Sequence, residues 1–218
     1  MEKTYPKNPV TLSFGKTIGE SFTIGLKNIP SILGCLILWV LTLWIPYINV
    51  GTTIAISTLP IALSRGTVVN PLDIFQSKYR RFMGEYFTVV AFMIIPMVCA
   101  SAFLLIPGFV LGLTWSIAIY LVLDKGTNPA EALTESNQAT YGSKWTMFWA
   151  KFCVSIISVL IYMFLVGVST LFTSGPINLE SPSVTTLIVM AIGLIISAAL
   201  NIAVNASIYG QLVKNLEE

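Results

Sequence analysis

Long apolar runs alternate with short polar segments along the whole chain. The runs cover residues 29–45, 50–63, 86–106, 108–123, 145–172 and 185–209. A helix needs about 20 mostly apolar residues to cross a bilayer, and none of the runs has the alternating ten-residue character of a barrel strand. The pattern predicts an all-α, polytopic membrane protein with six transmembrane helices in a single domain, 1–218. Tight turns at Pro46-Tyr47-Ile48-Asn49 and Ile106-Pro107-Gly108 join runs into hairpins. The second run is the weakest, because Thr52, Thr53, Ser57 and Pro60 dilute it.

Composition agrees. Hydrophobic residues make up 55% of the chain and charged residues 10%. Soluble domains carry about 25% charged residues, so a water-facing surface could not be coated. Twelve Lys+Arg against ten Asp+Glu leave a net charge of only +2, which argues against nucleic acid as a partner. Charge also orients the spans, because basic residues favour cytoplasmic loops. With six spans, all twelve basic residues fall on one side: Lys3, Lys7, Lys16 and Lys27 before the first span, Arg65, Lys78, Arg80 and Arg81 in the second loop, Lys125, Lys144 and Lys151 around the fourth, and Lys214 in the tail. Both termini are expected in the cytoplasm, and segment 173–183, which has no Lys or Arg, on the other side. No cleavable leader is apparent, so the N-terminal segment is expected to be retained.

The basic loops share a pattern. Gly66-Thr67 precedes Asn70-Pro71-Leu72-Asp73, and Gly126-Thr127 precedes Asn128-Pro129-Ala130-Glu131. Gly84 and Gly142 each follow their proline by thirteen residues. Asn caps a helix, Pro suits its first position, an acid favours its positive end, and Gly can close it in the left-handed conformation. The spacing predicts three repeat-like units, about 9–64, 71–123 and 129–209, each a short interfacial helix followed by a hairpin. In the first unit Leu12, Ile18, Phe22 and Leu26 would form the apolar face; in the second, Leu72, Ile74, Phe75, Tyr79 and Phe82. Such helices suit either an anionic lipid surface or the ends of the spans.

Residues 107–148 carry a denser motif: Pro107, Gly108, Trp115, Ser116, Asp124, Gly126, Glu131, Ala132, Leu133, Ser136, Thr140, Gly142 and Trp145. This stretch resembles the YciC-like bacterial inner-membrane proteins and the membrane domain found beside some glycerophosphodiester phosphodiesterases. Gly19-Glu20-Ser21-Phe22 is similar, more weakly, to the family start. The resemblance implies a bacterial plasma membrane and supplies no catalytic motif; the soluble phosphodiesterase domain is not in this chain.

Candidate chemistry is sparse. The chain has no His, its cysteines (Cys35, Cys99 and Cys153) lie far apart within apolar runs, and no metal spacing or phosphate-binding loop occurs. No cofactor is expected. Polar residues inside the spans form neutral stripes instead. The sixth run has Gly193, Ser197, Asn201, Asn205 and Tyr209 four residues apart; the fifth has Lys151, Ser155, Ser158 and Tyr162; the fourth has Ser116, Tyr120 and Asp124; the second has Thr53, Ser57 and Ser64. Lys151, Ser155, Ser158, Tyr162, Ser197, Asn201 and Asn205 are the candidate intramembrane cluster, with the Lys151 and Asn205 stripes expected to face each other or a shared recess. Small and hydroxylated residues either glue membrane helices together or line a polar path. Gly108 and Gly112 form a GxxxG pair of the kind that can support a dimer. The expected function is a non-catalytic membrane protein with a structural, assembly or envelope-maintenance role. Its expected partners are membrane lipids, including anionic headgroups, and another protein or a copy of itself. The alternative is a small transporter, channel or lipid-translocating protein, suggested by the repeats.

Overall fold

A computed structural model describes residues 11–169 and 183–216. Among these residues every regular element is helical: α1 (Phe14–Lys27), α2 (Ile29–Thr42), α3 (Pro46–Ser57), α4 (Leu59–Ser64), α5 (Lys78–Arg81), α6 (Met83–Phe103), α7 (Leu105–Thr114), α8 (Ala118–Lys125), α9 (Pro129–Ala139), α10 (Lys144–Ser169) and α11 (Val184–Leu212), with short 3-10 turns at Pro71–Phe75 and Val213–Leu216. Five stretches are long and apolar enough to cross a membrane: Pro46–Ser64, Met83–Phe103, Leu105–Lys125, Lys144–Ser169 and Val184–Leu212. The remaining predicted span, run 29–45, forms the 14-residue α2, which is long enough to cross only together with α1, from which it turns by 69°. Asn28 sits at that bend, its amide nitrogen donating to the Ile24 carbonyl at 2.8 Å. The protein is an all-α polytopic helical protein. Segment 173–182, and with it nearly all of the predicted outer loop, lies outside the described residues, as does the start of the first repeat-like unit at 9–10.

α11 is the axis, and α10, α1, α4 and α2 pack on it. Ser183 caps it by accepting the Thr186 amide at 3.1 Å. Its first half is mostly exposed, whereas from Ala199 to Leu212 it is buried on most sides. Burial follows the same gradient elsewhere. The main core gathers Ile61, Leu121, Met147, Leu200, Val204, Ile208 and Leu212 at the end that carries the basic residues, while Phe103, Leu105 and Val184 at the opposite end are exposed. Length explains this. The 29 residues of α11 span about 43 Å, about 13 Å more than the hydrocarbon core of a bilayer. The excess can be driven to pack by water, whereas lipid-embedded faces have no hydrophobic reason to leave lipid. Trp44 at the α2–α3 turn is 91% exposed, and Trp145 and Trp149 of α10 are exposed as well. The expectation that the basic 78–81 segment and the α2–α3 turn lie on opposite sides is not met for Arg80, whose guanidinium stands 5.6 Å from the Tyr47 ring centre, because α5 packs on α3.

The interfacial helices depart from expectation in instructive ways. α1 does not use its apolar face as its closest contact. It runs antiparallel to the basic-end half of α11, with Ser13 beside Gln211. At the other end a Cβ on Gly25 would lie 3.2–3.3 Å from Leu200, Ala199 and Ala203. Its most buried residues are Thr17, Ser21 and Gly25, while Leu26 is 51% exposed. Small residues let membrane helices approach, and the Thr17 and Ser21 hydroxyls satisfy themselves on carbonyls four residues back. In the second unit no continuous helix forms. Asn70 caps as expected, accepting the Leu72 amide at 3.1 Å, but over a 3-10 turn followed by the four-residue α5. Gly84 does not close a helix; it lies in the first turn of α6 with an ordinary backbone conformation. The reason is tertiary: Pro71 wedges against Gly34 of α2, Ser31 donates to the Val69 carbonyl, and Ile74 is buried beside Cys35 and Leu59. The third unit fits its pattern. Asn128 accepts the Ala130 amide at 3.0 Å, Pro129 opens α9, and Gly142 is left-handed at φ +77°. Gly66 and Gly126, the first residues of the shared loop pattern, are also left-handed, at φ +71° and +66°.

Candidate functional site

Two spans are interrupted within the bundle without a sharp bend. Pro46–Ser64 breaks at Thr58, where Pro60 lacks the amide that would bond back. Leu105–Lys125 breaks between α7 and α8, at Trp115, Ser116 and Ile117. A broken helix frees carbonyls that lipid cannot satisfy. Here α9 supplies the donors, Ser136 Oγ reaching the Thr114 carbonyl at 2.7 Å and Thr140 Oγ1 at 3.3 Å.

Both breaks border one recess of about 260 Å³, whose polar lining is Ser57, Ser116, Tyr120, Asn201 and Asn205. It is neutral throughout. Ser57 Oγ also lies 3.4 Å from the Tyr86 hydroxyl. The two asparagines turn their amide nitrogens back onto carbonyls of α11, Asn201 on Ser197 and Asn205 on Asn201, each at 2.8 Å. Their amide oxygens remain as acceptors. Ser116 Oγ is buried with no hydrogen-bond partner among the described residues.

Tyr120 links this recess to the basic end. Its ring meets that of Tyr209 edge-on, centroids 5.5 Å apart. Tyr209 donates its hydroxyl to Asp124 Oδ2 at 2.5 Å, and Arg65 Nη2 lies 2.6 Å from both Asp124 oxygens. Asp124, with its side chain 7% exposed, thus joins α8, α11 and the end of α4. Glu20 plays a comparable part between α1 and α11. Its Oε2 accepts from Ser207 at 2.6 Å and from Gln211 at 3.4 Å, and Oε1 lies 3.7 Å from Lys16.

The predicted cluster is divided between two surfaces. Ser158 and Ser197 meet where α10 crosses α11, the Ser197 hydroxyl reaching the Ser158 carbonyl at 3.4 Å, and Tyr162 packs on Gly193. Asn201 and Asn205 turn to the recess between α3/α4 and α8 instead; Lys151 and Ser155 stay half-buried on α10 and do not line it. Helix geometry accounts for the separation. A four-residue step overshoots one turn by about 40°, so Asn205 is rotated about 120° from Gly193. Thr53 serves the α2–α3 hairpin, accepting Trp39 Nε1 at 2.9 Å. Gly108 and Gly112 face Ser101 and Met97 of α6, so this pair is used inside one chain. Sequence placed Tyr209 in the polar stripe and Arg65 in a basic loop but did not pair them with Asp124, from which Arg65 and Tyr209 lie 59 and 85 positions away. Only the end-of-span position of Asp124 hinted that it needed partners.

No family model, curated protein or solved structure matches the chain.

Proposed function

We propose that this is a non-catalytic, multi-pass protein of a bacterial plasma membrane, with both termini cytoplasmic and a structural or assembly role in the envelope. One observation carries the reading: polar residues of the 107–148 stretch hold helices together. Asp124 ties three spans, Ser136 and Thr140 hold the broken Leu105–Lys125 span, and Ser143 Oγ accepts the Leu12 amide at 3.0 Å. Asp124, Ser136 and Thr140 also carry the resemblance to the YciC-like proteins, so membership of that group is part of the proposal. Lipid is the first partner; a second protein or another copy of the chain is the further partner such a role requires. The paired breaks beside the recess favour a second reading, translocation of a lipid or small polar solute, because broken helices around a midplane site are how many transporters bind their cargo.

Reconstitution separates the two. Vesicles holding the purified protein and a fluorescent phospholipid should lose inner-leaflet probe to an external quencher no faster than protein-free vesicles. Rapid loss would replace the structural reading by translocation. Topology is tested by single cysteines: Ser181→Cys should label from outside intact cells and Lys78→Cys should not.

A further inference from the structure

A second recess, of about 310 Å³, opens at the basic end between α4, α8 and the segment leading into α6. Its lining includes the polar Arg65, Thr67 and Lys78 and the apolar Ile61, Phe82 and Leu123. Arg65 reaches Asp124 through Nη2 alone, and among the described residues no protein acceptor takes its Nε or Nη1. Lys78 Nζ stands 4.9 Å from the Tyr79 ring centre and pairs with no carboxylate among the described residues. The charged groups lining the recess are Arg65, Lys78 and Asp124, which sum to +1. Two cationic donors therefore share an otherwise largely apolar lining, with one positive charge uncompensated.

A phosphodiester carries one negative charge and would bring the recess to neutrality. Arginine and lysine both bind phosphate, arginine through its planar donor fork. At about 310 Å³ the recess has room for a phosphate and glycerol, and acyl chains would lie outside it. Those have a path outside, because α6 is exposed along most of its length, beginning with Phe87.

We infer that this recess holds the headgroup of an anionic phospholipid, with the phosphate between Arg65 and Lys78 and the acyl chains along α6. The inference rests on the membrane orientation proposed above, in which the basic end lies at the cytoplasmic interface. The test is native mass spectrometry of the full chain released from mild detergent after titration with phosphatidylglycerol or phosphatidylcholine. Phosphatidylglycerol should be retained preferentially. Lys78→Gln should weaken its retention about five- to tenfold, the effect of one basic residue near a lipid headgroup, and Lys78→Arg should preserve it. Equal retention of both lipids, or no change in Lys78→Gln, overturns the inference. Displacement by millimolar glycerol 3-phosphate overturns the lipid source in favour of a soluble phosphate ester. Failure of the orientation is distinct: Lys78→Cys would then resist labelling from the cytoplasmic side of inverted vesicles, and the inference would fall with it. Labelling without lipid preference sinks the inference alone.

Discussion

Asp124→Asn tests what holds the basic end of the bundle together. The substitution keeps the side chain's shape and one acceptor and removes the charge. Hydrogen bonds to charged groups contribute about 1.5–3 kcal/mol and neutral ones about 0.5–1.5, so the Tyr209 link alone should lose about 1–1.5 kcal/mol. Arg65 contributes less, because its side chain is 60% exposed and exposed ion pairs contribute about 0–1 kcal/mol. Asp124→Asn should therefore cost about 2 kcal/mol and Arg65→Ala no more than about 1. Tyr209→Phe removes the same hydroxyl bond from its other side. If the Tyr209–Asp124 bond is what stabilises, the double variant must cost less than the sum of the singles by about 1–1.5 kcal/mol. The assay is equilibrium unfolding in mixed micelles, with loss of helicity followed against denaturing-detergent fraction and extrapolated to zero. Additivity within about 0.5 kcal/mol, or Arg65→Ala proving costlier than Asp124→Asn, would mean that the Tyr209–Asp124 bond does not hold this end of the bundle.

Three further outcomes are expected in the same assay. Gly193→Val should destabilise by about 1–3 kcal/mol, because even a Cβ there would come within 2.7 Å of the Tyr162 ring; a smaller Tyr162 side chain should rescue it, and no rescue would mean the α10–α11 crossing is misread. Gly126→Ala should cost about 1–2 kcal/mol through its left-handed backbone alone, since nothing lies within 4 Å of the added carbon. Asn205→Leu should change stability by less than about 1 kcal/mol, because its amide nitrogen bonds only to its own helix; a large loss would show that its oxygen holds another span.

Features governed by the chain within a few residues were legible in the sequence. The apolar runs marked the spans, because a bilayer demands about 20 apolar residues whatever lies beside them. Asn128 and Asn70 cap through amides two residues away, and Gly142 adopts the left-handed conformation its position suggested. The loop around Asn70 shows the limit of local rules. It begins as the pattern predicts and then, pressed against Gly34 and Ile74's neighbours, abandons the helix that Gly84 was expected to close.

Which faces meet was decided by tertiary structure. In water an apolar stripe points to its partner, but in a membrane lipid is as apolar as a neighbouring helix, so hydrophobic periodicity does not select the contact. α1 accordingly approaches α11 through Thr17, Ser21 and Gly25 and leaves Leu26 exposed. The stripe on α11 looked like one surface in sequence, yet the mismatch between four residues and the helical turn carries Ser197 to α10 and Asn205 to the recess. Asp124 could be seen as a charge at the end of a span. That Arg65 and Tyr209 would meet on it depended on the rotation of three helices distant in sequence, because only their packing brings those donors to a carboxylate that has left water.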